Sequence, residues 1–139
     1  DRALKPDEKS LAANHPRIGM EPNAAGVLAI ARKNYREAET SLIRAAGILE
    51  ASQPPQHAEI GQVLLNLAQA YRLEKKLDQA RDTLERGLAE VTLGWGPNDQ
   101  RLPQWMESLA GVLRAQEDFA GAEELEIRAT RIRVLRGIR

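Results

Sequence analysis

Apolar side chains recur along this 139-residue chain at helical spacing, in stripes that come in pairs separated by short polar turns. The clearest pair runs from Ile60 to Thr92. Leu64, Leu67, Ala68 and Tyr71 stand at i, i+3, i+4 and i+7, which is one face of an amphipathic helix. Lys75 and Lys76 mark a turn, and Leu77, Ala80, Leu84 and Leu88 then stripe a second helix. Ala68 and Ala80 are small where bulky residues would be expected. The contact side chains set the distance between packed helices, so two small residues let the pair approach closely.

The same pattern returns at one fixed interval. Arg2, Arg44, Arg86 and Arg128 are each 42 residues apart, and so are Ala38, Ala80 and Ala122. A shift of 42 forward gives Met106, Leu109, Ala110 and Leu113, then Phe119, Ala122 and Ala129, with Leu125 serving where Glu126 holds the strict place. A shift of 42 back gives Gly26, Ala29, Tyr35, Ala38, Leu42 and Ala45. Chance periodicity in an Ala-rich chain would not keep small, bulky and arginine positions in one phase. A fixed period of this size signals a solenoid, in which each repeat buries its apolar face against the next.

The phase divides the chain into residues 15–56, 57–98 and 99–139, each a helix pair, with residues 1–14 as the remnant of a further unit or an extension. Asp1-Arg2-Ala3-Leu4 matches the end of a second helix, and Glu8 to Pro16 reads as the connector that follows it. One unit departs from the rule. Pro22 falls inside the expected first helix of the first unit, where an interior proline costs about 3 kcal/mol. The expectation is a shorter helix from about Asn23, with Asn23 as its N-cap and residues 1–21 irregular. Pro54-Pro55 and Gly96-Pro97 break the chain between units.

Composition narrows the chemistry. Charged residues are 29% of the chain with equal numbers of each sign, so no overall field draws it to nucleic acid or a membrane surface. No apolar run approaches the ~20 residues that a membrane helix needs. With no cysteines, disulfide and thiolate chemistry is excluded. His15 and His57 are 42 apart, each where a first helix begins, and Asp99 holds the third equivalent place. Neither histidine has a second ligand at metal-binding spacing. No phosphate loop, nucleophile elbow or Ser/His/Asp grouping is present, so the sequence points to no catalytic residue, metal or cofactor. Trp95, in a Gly-Trp-Gly-Pro connector, and Trp105, opening a first helix, read as packing residues rather than binding hot spots.

The last helix carries Arg128, Arg131, Arg133, Arg136 and Arg139, cations that complement the helix dipole near its C-terminus. Ile127, Val134 and Ile138 lie on a different face from Leu125, Ile132 and Leu135. A terminal helix apolar on two faces lacks the polar cap that solenoid ends need for solubility. The face of Ile127, Val134 and Ile138 is therefore expected to dock onto more repeats or onto a second copy of the chain.

Leu64, Leu67-Ala68, Tyr71, Leu77, Ala80, Leu84 and Gly87-Leu88 fill, in order, the places of the tetratricopeptide repeat, with Leu77 departing from that family's aromatic. The pattern resembles that family. The 42-residue period, the connector Glu90-Val91-Thr92-Leu93-Gly94-Trp95-Gly96-Pro97-Asn98 and Asn66-Leu67-Ala68 are similar to its kinesin-light-chain type. The resemblance implies an all-α, right-handed superhelical solenoid of antiparallel helix pairs whose first helices line a concave groove. It implies a non-catalytic scaffold that binds a protein or peptide there. The groove candidates are Gln62, Leu65, Asn66, Gln69 and Arg72 in the second unit and Gln104, Glu107, Ser108 and Arg114 in the third. Amide side chains can pair with the main chain of an extended peptide whatever its sequence. Co-chaperone members clamp a terminal carboxylate, but the matching places here hold Asn23, Val27, Asn66, Gln104 and Ser108, and only Asn66 fits. A polar or mildly acidic peptide suits the groove better. The alternatives are self-assembly into a homo-oligomer through the repeat ends, or a regulatory segment of a larger protein.

Overall fold

The computed structural model describes residues 16–135 and Gly137, with side chains from residue 21. Among the described residues six helices follow one another: α1 (Pro16–Ala31), α2 (Tyr35–Glu50), α3 (His57–Leu73), α4 (Leu77–Trp95), α5 (Pro103–Ala115) and α6 (Phe119–Leu135). Each packs chiefly on its sequence neighbours, giving three stacked pairs, α1/α2, α3/α4 and α5/α6. Among the described residues there is no strand. The architecture is an all-α helical-repeat solenoid.

The period is visible in the backbone. Lys33, Lys75 and Glu117, each 42 residues after the last, hold φ of 64°, 66° and 66° in the three turns inside the pairs. In each turn the next residue's N–H reaches back five positions: Asn34 to Ala29 O, Lys76 to Tyr71 O, and Asp118 to Leu113 O, all at 2.8 Å. This is the left-handed C-cap of the Schellman type, which satisfies the last carbonyls of the first helix and reverses the chain. Asn34 and Asp118 then cap the second helices, accepting from Glu37 N at 3.4 Å and Gly121 N at 3.0 Å. Lys76 cannot accept, and its Nζ instead reaches Glu39 Oε2 on α2 at 3.0 Å.

Within the pairs, Ala38, Ala80 and Ala122 are all fully buried, as their smallness at the crossings predicts. Glycine permits closer approach still. A Cβ on Gly26 would lie 2.4 Å from Leu42 Cγ, and one on Gly61 would lie 2.2 Å from Val91 Cγ1. Between pairs, Leu42, Ala46 and Leu49 of α2 share a core with Ile60, Val63 and Leu67 of α3. Leu84, Leu88 and Val91 of α4 share the next core with Leu102, just before α5, and with Trp105 and Leu109 of α5.

Four sequence expectations are corrected. The first helix does not start near Asn23 but runs from Pro16 through Pro22, and Asn23 is a buried mid-helix residue rather than an N-cap. Pro22 is the seventh residue of the helix and forfeits one i→i−4 hydrogen bond, while the packing of the helix on α2 and α3 holds it. The segment from Glu90 is helical as far as Trp95, so the connector begins only at Gly96, whose φ of 96° ends α4. Asp99 does not open a helix. It accepts from Arg101 N at 2.8 Å, closing a turn, and α5 begins at Pro103, whose fixed φ suits the first helical position. Leu135 does not join the buried face of Leu125 and Ile132, being 66% exposed. The readings of residues 1–14, His15, Arg136, Ile138 and Arg139 lie outside the residues described.

Candidate interaction surface

Seven of the nine groove candidates meet in one cleft. Gln62, Leu65, Asn66, Gln69 and Arg72 descend one face of α3, Gln104 and Ser108 face them from α5, and the enclosed volume is about 510 Å³. The spacing explains the convergence. Residues 62, 65, 66, 69 and 72 stand at i, i+3, i+4, i+7 and i+10, and α3 turns its other faces to α2 and α4. The structure adds Leu73 and Lys75 to the lining, with Ala68 and Leu84 as its apolar floor. Gly111 shapes one end, because a Cβ there would come within 3.0 Å of Arg72 Nη2. Gly111 is 42 residues after Gln69, so the repeat phase alone could have placed it at the groove.

The cleft is chemically lopsided. Amides from Gln62, Asn66, Gln69 and Gln104 occupy most of it, Arg72 and Lys75 lie at one end, and no carboxylate is among the described residues that line it. Asn66 is also anchored from outside. Its Nδ2 donates to Asn23 Oδ1 on α1 at 3.1 Å, which joins the first helices of two successive pairs. Asn23, at one of the clamp places, thus serves as a support for Asn66.

Glu107 and Arg114 do not join the cleft. Both turn to α6: Glu107 accepts from Arg133, and Arg114 Nε donates to Glu126 Oε2 at 2.9 Å. The arginine hydrogen bonds hold the Glu107 and Glu126 carboxyls below their ordinary value and raise both guanidiniums. These are ion pairs within the third helix pair, with no group poised for proton transfer near neutral pH. The Tyr71 hydroxyl is pushed up by burial and then by the nearby Glu39 charge.

The remaining candidates resolve into structural parts. Trp105 is 1% exposed, donates Nε1–H to Gly61 O at 2.9 Å, and meets Trp95 edge to face with centroids 5.5 Å apart. Arg101 lies over the Trp95 ring at 3.9 Å and is itself held by Asp99 at 2.9 and 3.0 Å. The two rings pack α4 against α5 from within the helices, not from the connector, which begins after Trp95. His57 Nδ1 and Glu90 Oε1 are 2.8 Å apart and tie the start of α3 to α4. Among the described residues no group of three His, Cys, Asp or Glu could hold a metal, and no helix is long and apolar enough to cross a membrane.

The second candidate surface is on α6. Ile127 and Val134 are 52% and 70% exposed, and with Glu123, Thr130, Arg131 and Leu135 they border a shallow groove of about 470 Å³. Its third predicted member, Ile138, lies outside the described residues.

Three stacked helix pairs, with a cleft between the second and the third, define a helical-repeat scaffold. Residues 21–89 match the family model of the tetratricopeptide repeat. Among solved structures, BtubC (BKLC) from P. vanneervenii superposes with a TM-score of 0.82 at 27% identity, covering 97% of this chain. Residues 21–89 are thus tetratricopeptide repeats, and the fold of the chain is similar to that of BtubC. The chain spans 54% of the BtubC chain. No curated protein matches it. Tetratricopeptide repeats are, as a family, repeats that mediate protein–protein interaction.

Proposed function

We propose that this chain is a non-catalytic scaffold that binds an extended peptide, or an extended segment of a partner protein, in the cleft between α3 and α5. The observation that carries this reading is the convergence of seven predicted groove residues on one cleft whose described lining holds two cations and no carboxylate. Amides along the wall suit main-chain N–H and C=O groups, and Leu65 and Leu73 offer apolar contact. Arg72 and Lys75 select an acidic side chain at one end, Arg72 with the two-pronged geometry that favours carboxylates. The partner class is therefore a polar, mildly acidic peptide.

A peptide array scored against the purified chain tests this. Peptides with a carboxylate should be retained over charge-reversed versions, and the retention should weaken as salt rises. The double variant Asn66→Ala/Arg72→Ala should bind the best peptide at least about tenfold more weakly, equivalent to ~1.4 kcal/mol, while the helical circular dichroism stays that of the parent at the assay temperature and the melting temperature falls only by what the lost Asn66–Asn23 bond accounts for. Unchanged affinity would remove the cleft as the binding site.

A further inference from the structure

The exposed stripe on α6 is not the seat for a following repeat. In the first two pairs the next first helix is received by Leu42, Ala46 and Leu49, and by Leu84, Leu88 and Val91. The same positions on α6, each 42 residues on, hold Glu126, Thr130 and Arg133. Glu126 and Arg133 are moreover engaged with Arg114 and Glu107 of α5. The expectation that this helix lacks a polar cap is thus corrected at the positions that matter for stacking. Ile127 and Val134 occupy places that are Ile43 and Glu85, and Glu50 and Thr92, in the other pairs, all of them exposed or half-exposed. Only α6 carries an apolar stripe there, so it requires a different explanation.

We infer that this stripe pairs with its own copy, α6 against α6, antiparallel about a twofold axis at Ile127. A twofold interface is self-complementary, so a residue n places before the axis comes level with the partner's residue n places after it. Centred on Ile127, Val134 of one copy comes level with Ala120 of the other, which is small and exposed. Arg131 comes level with Glu123 and lies beside Glu124, and the match is made twice by symmetry. Glu123, Glu124, Arg128 and Arg131 are all exposed or half-exposed, as the pairing requires. Moving the axis one helical turn toward the C-terminus brings Arg131 level with itself, so the signs repel. Charge thus selects both orientation and register, while Ile127, Val134 and the flanking Leu135, 52%, 70% and 66% exposed, supply the apolar contact. One helix from each copy makes a small interface, which gives a reversible dimer rather than a permanent one.

Sedimentation of the full chain, from about 1 µM to about 1 mM, should show a monomer–dimer equilibrium in the range where such small interfaces fall. Ile127→Glu should abolish the dimer with circular dichroism unchanged, since the site is exposed. Arg131→Glu should weaken dimerisation at least about tenfold, and Glu123→Arg/Glu124→Arg added to it should restore most of the loss. A strict monomer over the whole range overturns the inference. So does a dimer that survives Ile127→Glu, which would place the contact elsewhere. Failure of the charge reversal to restore association would overturn the antiparallel pairing about Ile127. The cleft between α3 and α5 takes no part, so the Asn66/Arg72 variant should dimerise normally.

Discussion

The two joints of the solenoid do the same job with different chemistry. The joint between the first and second pairs is aliphatic, with Leu49, Ile60 and Val63 buried together. Polar bonds edge it, from Asn66 to Asn23, from Lys76 to Glu39 and from Arg86 to Glu50. The joint between the second and third pairs is aromatic. Trp105 fills the place of Val63, packs near Gly87 and against Trp95, and reaches across to Gly61 O. A side-chain bond from Gln116 to Asp78 at 2.6 Å is the described counterpart of the first joint's polar links. One large side chain thus replaces several smaller contacts. The 42-residue period preserves where a joint falls, and each joint then solves its own packing.

The comparison is broken most severely at Trp105. Trp105→Ala removes a fully buried ring and leaves a cavity, with an expected loss of about 3–5 kcal/mol. Val63→Ala, at the same position in the other joint, removes about two carbons' worth of burial and should cost about 1–2 kcal/mol. Urea unfolding of both variants decides the matter. Equal losses would mean that the aromatic joint is no more concentrated than the aliphatic one.

Asn23 sharpens the contrast at lower energy. Its amide sits at the first joint, 9% exposed, and its described partner is Asn66. Asn23→Ala should cost about 0.5–1.5 kcal/mol, the usual range for one hydrogen bond, because Asn66 is half-exposed and can turn to water. A second consequence is visible in peptide affinity, since Asn66 would lose its anchor on α1. A melting temperature indistinguishable from that of the parent chain would show that the amide pair adds nothing to the first joint.

Much of this was legible in the sequence because the governing quantities are local and periodic. Ala38, Ala80 and Ala122 marked the crossings, and Lys75-Lys76 marked a turn whose left-handed backbone the other two turns repeat. The seven residues that line the cleft were expected from the resemblance, which puts a groove along the first helices, and helical spacing then chose the positions. What failed needed contacts that no local pattern carries. Glu107 and Arg114 had the correct spacing for the groove, but their partners Arg133 and Glu126 lie 26 and 12 residues away on α6. On α6 the buried stripe of Ala122, Leu125, Ala129 and Ile132 departs by one residue from the strict phase at Leu125 and Ile132. That shift frees Glu126 and Arg133 to bind α5. The helix runs through Pro22 because its packing on α2 and α3, which no local pattern carries, offsets the proline penalty.

The last test asks whether the third pair differs from both joints in its response to acid. Glu107 and Glu126 have carboxyls lowered from an ordinary value of 4.5, chiefly by hydrogen bonds from Arg133 and Arg114. A carboxyl lowered in the folded state adds stability that is fully present above its unfolded value and is lost as the pH falls through its folded value. Both ion pairs lie inside the third pair, between α5 and α6, and neither crosses a joint. Acid should therefore loosen α6 from α5 while leaving the apolar contacts of the two joints in place. Both pairs are at the surface, where solvent screens them, so the effect should be smaller than the loss of Trp105, Val63 or the Asn23 amide. The measurement is a difference: the melting temperature of the parent chain minus that of Glu107→Gln/Glu126→Gln, followed from about pH 6 down to about pH 3. The difference should be positive near pH 6 and shrink as the pH falls below 4.5, with every other carboxylate cancelling between the two proteins. Parallel melting curves across that range would mean that the two ion pairs orient α6 without stabilising it.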